Sequence, residues 1–117
     1  MDELEKFKLR LRQFAKERDW EQFHSPKNLS MALSVEVSEI VEHFQWLTEE
    51  QSENLSIDKL EEVKTELADT FIYLIRLADK LNINLLEVVK SKIEVNELKY
   101  PVDKAKGNAI KYTELEK

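Results

Sequence analysis

Glycine and proline are nearly absent from this chain of 117 residues, which contains only Gly107, Pro26 and Pro101. These residues supply most tight turns and strand breaks, so a chain that lacks them cannot build many short strands. A few long helices joined by short connections suit this composition. We therefore predict an all-α fold, and the length suits one domain over residues 1–117.

Hydrophobic spacing predicts four helices. In the first helix Leu4, Phe7, Leu11 and Phe14 recur at three- and four-residue steps. Capping residues and breaks in the pattern predict the remaining boundaries. The predicted ranges are 2–18, 27–47, from Ser56 or Asp58 to Leu81, and from Asn84 to just before Pro101. Residues 102–117 are polar and weakly patterned, which predicts a C-terminal tail or an arm that folds onto another subunit.

Charge and hydropathy exclude several classes of function. The net charge of −6 opposes binding to a nucleic acid polymer. No apolar run approaches the roughly 20 residues of a membrane-spanning helix. There is no cysteine for disulfide or thiolate-metal chemistry, and the first residues lack the apolar core of a signal peptide. We expect a cytoplasmic protein that does not bind membranes.

Two acidic pairs lie inside otherwise apolar helices. One is Glu36 with Glu39 on the second predicted helix, and the other is Glu66 with Asp69 on the third. A spacing of three residues places both members of a pair on one helix face. If these faces meet across packed helices whose axes are roughly 8–10 Å apart, four carboxylates converge on a gap that could hold a metal ion.

Electrostatics favours a divalent cation in such a gap. Two carboxylates about 4 Å apart repel by about 4 kcal/mol at an effective dielectric constant near 20. An all-oxygen ligand set favours Mg²⁺, Mn²⁺ or Ca²⁺ over Zn²⁺ or Cu²⁺, and Mg²⁺ commonly shares its coordination with substrate phosphates. From the pattern alone, a solvated acidic surface remains the alternative reading of these pairs.

Two other classes of helical protein also place acidic residues on packed helices. A di-iron carboxylate bundle needs two Glu-x-x-His pairs. Here His43 follows Ile40 at that spacing, and His24 follows Glu21 in a loop, so the motif fails. The other class is a non-catalytic helical oligomerisation module, in which the acidic faces would be polar seams between subunits. The residue pattern leaves that module open.

Several blocks, in order along the chain, resemble those of one enzyme family. They include the acidic pairs at residues 36–39 and 66–69, with ERDWEQFHSPKNL at 17–29, FQW at 44–46 and ELADTFIYL at 66–74. Further blocks are SKI at 91–93, Asn96 with Tyr100-Pro101, and KYTEL at 111–115. Together they resemble the all-α nucleoside triphosphate pyrophosphohydrolases of the MazG type, and within that family the dCTP pyrophosphatase branch.

The resemblance implies a four-helix MazG-like bundle, assembled into dimers or a dimer of dimers, most simply a homotetramer. It implies hydrolysis of dCTP-like or modified deoxynucleoside triphosphates to a monophosphate and pyrophosphate, as nucleotide-pool house-cleaning. Mg²⁺, or Mn²⁺ in its place, would be the cofactor. The implied catalytic and metal-binding residues are Glu36, Glu39, Glu66 and Asp69, with Glu36 as the first candidate for the general base.

The implied substrate-binding residues are Trp20 and Trp46 around the base, Tyr73 and Asn96 at sugar or phosphate, and Lys92 at phosphate. For the two tryptophans the alternative reading is core packing, and for Lys92 and Asn96 it is simple exposure. Leu11 stands where close relatives have a histidine beside the base, and Val35 stands where the broader family has a further glutamate. A dUTP-type or phosphoribosyl-ATP pyrophosphohydrolase remains an alternative, because the resemblance implies similar acidic helices in those enzymes.

Overall fold

The computed structural model of the chain describes residues 1–115, and these residues contain helices and turns but no strand. This confirms the predicted all-α class. The helices, in chain order, are α1 Glu3–Glu17, α2 Pro26–Phe44, α3 Glu49–Glu53, α4 Ile57–Lys80, α5 Leu85–Lys99, α6 Val102–Ala105 and α7 Tyr112–Leu115. A single turn of 3₁₀ helix, Glu21–Phe23, lies between α1 and α2.

The four long helices begin where side chains cap them. Ser25 accepts a hydrogen bond from the Asn28 backbone amide at 3.1 Å, and Pro26 opens α2. Ser56 caps α4 and Asn84 caps α5 in the same way. The predicted starts of these helices are confirmed to within one or two residues. The predicted end of α2 near Leu47 is wrong. The helix ends three residues earlier, at Phe44.

The polar stretch between α2 and α4 contains a short helix that hydrophobic periodicity does not predict. Thr48 and Gln51 form a reciprocal capping box at 3.0 and 3.1 Å, and this box starts α3. A five-residue helix is too short to show a hydrophobic period. In the predicted tail, α6 and α7 are short helices, while Glu116 and Lys117 lie outside the described residues.

The chain divides into two compact units, Met1–Ile83 and Asn84–Lys117. In the first unit α4 packs along α2 and, over a shorter length, against α1. Its buried apolar side chains include Ala15, Leu29, Val63, Ile75 and Ala78. The second unit contains α5, α6 and α7. None of the helices within residues 1–115 is both long enough and apolar enough to cross a membrane.

In a single chain α4 is not buried all round. Leu67 is 53% exposed and Phe71 is 47% exposed, and Ile72 and Leu74 are exposed as well. Within the first unit α1 and α2 cover only part of the α4 surface. An apolar face therefore remains on α4 that one copy of this unit does not cover.

Candidate functional site

Packing of α2 along α4 brings three of the four predicted acidic residues together. Glu36, Glu39 and Glu66 each contribute a carboxylate oxygen, and these three atoms all lie within 4.8 Å of one another. All three side chains are half-buried. The arrangement arises because the polar face of each helix turns toward the other, as the spacing of the acidic pairs requires.

Asp69 lies on α4 close to this cluster but does not join it. The residue is half-buried, and its charge contributes to raising the pKa of both Glu36 and Glu66. Its oxygens are not among the atoms that lie within 4.8 Å of one another. The four-carboxylate cluster expected from the sequence is therefore a three-carboxylate cluster with Asp69 as an electrostatic neighbour.

The carboxylates of the cluster repel one another and are only partly hydrated. Burial, followed by hydrogen bonds with the carboxyl groups of Glu66 and Glu39, raises the pKa of Glu36 to about 7. The pKa of Glu66 is also raised, first by a hydrogen bond with Glu39 and then by burial. Retaining a proton is the expected response of crowded carboxyl groups when no cation is nearby.

Two buried oxygen atoms of the cluster have no hydrogen-bond partner among residues 1–115. They are Glu36 Oε2 and Glu66 Oε2. Within the described residues, none of the cluster carboxylates forms an ion pair with lysine, arginine or histidine. Buried carboxylate oxygens without partners are costly unless something else binds them. Closely spaced oxygens with free lone pairs fit a hard divalent cation such as Mg²⁺.

The raised pKa of Glu36 predicts a pH dependence of folding in the metal-free protein. The unfolded chain releases this proton near pH 4.5, whereas the folded chain retains it until about pH 7. The folded state therefore binds more protons between these values, and this group makes the free energy of unfolding fall as pH rises from 4.5 to 7. Denaturant unfolding with a chelator should show that the fall is smaller in Glu36→Gln. Equal slopes for the variant and the wild type would contradict the prediction.

The two tryptophans occupy different surroundings. Trp46 follows α2 and is 87% exposed, so core packing within the chain does not account for it. Trp20 follows α1 and is 44% exposed, and its ring meets the ring of Phe14 edge-on at 5.6 Å. Asp19 just before it has a positive φ of 53°, which ends α1 and lets the Trp20 amide bond to the Ala15 carbonyl at 2.9 Å.

The remaining predicted substrate-binding residues lie on two helices. Tyr73 is half-buried on α4, one turn beyond Asp69. Lys92 and Asn96 are exposed on α5 and lie one turn apart on the same face of that helix. Their contacts with sugar or phosphate stay predictions.

Two features near the Trp20 segment were not predicted from the sequence. One is a cavity of about 430 Å³ between α1 and α4, lined by Phe7, Arg10, Leu11, Phe14, Ala68, Phe71, Ile72 and Ile75. The other is a polar network around Arg76. Arg76 lies on α4 two turns beyond Asp69, and its buried side chain approaches Asp79 and His24. The three-residue step between Arg76 and Asp79 is the signal that could have indicated their pairing.

Known proteins of one family match this chain over most of its length. A family model described as the MazG-like family matches residues 31–115. The chain is 43% identical over 105 residues to dCTP pyrophosphatase 1 of Mus musculus, and equally to those of Bos taurus and Homo sapiens. Each match covers 88% of this chain and 62% of the relative. The chain thus spans about three fifths of the length of these curated relatives.

A solved structure is similar in both fold and sequence. The crystal structure of a pyrophosphatase from Archaeoglobus fulgidus superposes with a TM-score of 0.75 at 42% identity. The similarity covers 86% of this chain and 94% of that one. The family model, the relatives and this structure agree. The chain belongs to the MazG-like family, and within that family it is similar to the dCTP pyrophosphatase branch.

Proposed function

We propose that this chain is a Mg²⁺-dependent nucleoside triphosphate pyrophosphohydrolase. It cleaves the phosphoanhydride between the α- and β-phosphates of dCTP-like or modified deoxynucleoside triphosphates, as a house-cleaning enzyme of the nucleotide pool. The observation that carries the proposal is the half-buried cluster of Glu36, Glu39 and Glu66 with its two unpartnered oxygens. The 43% identity to dCTP pyrophosphatase 1 relatives supports the substrate class.

Glu36, Glu39 and Glu66 would hold Mg²⁺, with Asp69 as a further ligand or as a partner for metal-bound water. Mn²⁺ would substitute, because it accepts the same oxygen ligands. The bound metal would neutralise phosphate charge and lower the pKa of the attacking water. The cluster supports this assignment because all its possible metal ligands are carboxylate oxygens. Within the described residues, no positively charged side chain forms an ion pair with them.

The reaction is hydrolysis by attack of water on the α-phosphorus. The water oxygen forms a bond to that phosphorus as the bond to the bridging oxygen breaks, and pyrophosphate leaves with the bridging oxygen. A carboxylate must accept the proton of the water, and we assign this role to Glu36. Trp20 and Trp46 would stack on the base, Tyr73 and Asn96 would contact sugar or phosphate, and Lys92 would bind phosphate.

We further propose that residues 1–117 act as one MazG-like domain that assembles into a homotetramer as a dimer of dimers. The exposed apolar residues of α4, including Leu67 and Phe71, support this, because folded monomers rarely expose large contiguous apolar patches. Size-exclusion chromatography with light scattering should give the mass of four chains. A monomer at micromolar concentration would contradict the assembly.

An activity assay tests the proposed function. The protein is incubated with Mg²⁺ and a panel of canonical and modified triphosphates in ¹⁸O-labelled water, and the products are identified by mass spectrometry. We expect pyrophosphate and a monophosphate that carries the label, with cytosine deoxynucleotides among the substrates. Preference for dUTP would point to the alternative branch. No hydrolysis of any triphosphate would leave the non-catalytic oligomerisation module as the better account.

A further inference from the structure

A buried arginine lies in the first unit on the part of α4 that is C-terminal to the acidic cluster. Arg76 is only 3% exposed. Its Nη1 lies 3.4 Å from Asp79 Oδ2, and its Nη2 lies 3.2 Å from His24 Nδ1 and 3.5 Å from a Glu21 carboxylate oxygen. The guanidinium thus connects α4 with the segment between α1 and α2.

Joining α1 to α4 does not require this arginine. Arg12 on α1 already binds Asp79 through two hydrogen bonds, at 2.8 and 2.6 Å, and holds the pKa of that carboxyl below its usual range. The Nε atom of Arg76 is buried and has no hydrogen-bond partner in the part of the chain that the structure describes. A buried ion pair is weak evidence of a stabilising role, because the cost of removing both charges from water can exceed their attraction. The remaining contacts of Arg76 are those to Glu21 and His24.

His24 links this arginine to Trp20. The His24 ring lies 6.4 Å from the Trp20 ring at an interplanar angle of 64°, and Phe14 packs on the same tryptophan at 5.6 Å. Burial, then the charges of Arg76 and Lys80, lowers the pKa of His24, and only Glu21 opposes them. The neutral ring can accept the Arg76 hydrogen bond at Nδ1, which fixes the orientation of the imidazole.

We propose that Arg76 is a positioning residue that fixes the orientation of Trp20 through the His24 ring, and thereby sets affinity for the nucleobase rather than the rate of the chemical step. The contribution to affinity rests on the proposed function, in which Trp20 stacks on the base. The coupling between Arg76 and Trp20 does not rest on it, because the contacts exist in the chain without substrate.

Fluorescence tests this coupling without any substrate. The chain has two tryptophans, so a Trp46→Phe background leaves Trp20 as the only strong emitter. In that background we expect Arg76→Gln to shift Trp20 emission to longer wavelength and to increase its quenching by acrylamide. Arg12→Gln is the matched control, because it removes the other arginine that binds Asp79 and leaves the contact between Arg76 and His24 in place. It should leave both signals unchanged.

Steady-state kinetics in the chain that retains Trp46 tests the consequence for substrate. Arg76→Gln should raise KM about 5- to 30-fold, a loss within the range of one base-stacking contact, with kcat changed less than about twofold. Arg12→Gln should change neither constant. An equal loss in both arginine variants, or a fall in kcat with KM unchanged, would overturn the proposal.

A double-mutant cycle keeps the test decisive. Arg76→Gln combined with His24→Ala should affect Trp20 no more than His24→Ala alone, because both changes act through one contact. If circular dichroism shows that Arg76→Gln does not fold, His24→Ala alone must increase the quenching of Trp20, and unchanged quenching overturns the proposal. If the wild type hydrolyses no triphosphate, the proposed function fails, while the fluorescence still decides whether Arg76 positions Trp20.

Discussion

Substituting Glu39 by glutamine is expected to lower kcat by about 100-fold or more, because it removes one anionic ligand from the cluster at nearly constant volume. In the proposed mechanism Glu39 is a metal ligand, and its loss would weaken the stabilisation of charge on the leaving pyrophosphate. Asp69→Asn should also lower kcat, since Asp69 contributes charge next to the cluster. The assay is steady-state pyrophosphate release at saturating Mg²⁺.

The matched control for this experiment is Glu42→Gln. Glu42 lies on the same helix as Glu39, but it is exposed and is not part of the cluster. Its substitution should leave kcat within about twofold of wild type, because the Glu42 carboxylate does not belong to the cluster. If Glu39→Gln and Glu42→Gln retained equal activity, the acidic cluster would not be the catalytic metal site.

Removal of the Trp46 ring is expected to raise KM about 10- to 100-fold, a loss that corresponds to one base-stacking contact. Trp46 is 87% exposed in the chain, so truncation to alanine removes little packing within the fold. We therefore expect KM to rise while kcat and the midpoint of thermal unfolding change little. Trp46→Phe, which keeps an aromatic face, should recover most of the affinity. A fall in the unfolding midpoint with KM unchanged would instead assign Trp46 to subunit packing.

The helices were predictable because local chemistry defines them. Ser25 and Pro26 together start α2, and the Asn84 cap starts α5 in the same local way. The pairing of α2 with α4 was predictable because both helices carry acidic residues at three-residue spacing on apolar surfaces. Short-range signals of this kind need no knowledge of the tertiary structure.

Other features depend on how the helices are rotated and spaced in three dimensions. The sequence places Asp69 and Glu66 on one face of α4, yet only Glu66 meets the α2 carboxylates within 4.8 Å. Arg76 continues the same polar face, but its long side chain turns to His24, 52 residues away in sequence. Side chains of this length reach partners that helical periodicity does not reveal.

The cavity beside Leu11 shows a second limit of sequence patterns. Its lining comes from α1 and α4, and the individual residues look like ordinary core positions. Only the separation of the two helices leaves about 430 Å³ open between them. The sequence also did not indicate that Leu67 and Phe71 stay exposed in a single chain, because an apolar residue carries no mark of whether its own chain covers it.

The most direct test of the central claim is metal-dependent stability of the free protein. Unfolding of wild type and Glu66→Gln would be followed with increasing Mg²⁺, and separately with Mn²⁺, at constant ionic strength and pH. An ion that binds only the folded state stabilises it by about 2.7 kcal/mol at 100 times its Kd. We predict a saturable stabilisation of wild type that is lost or strongly weakened in Glu66→Gln. No stabilisation of wild type, or equal stabilisation of both proteins, would contradict a metal site formed by Glu36, Glu39 and Glu66.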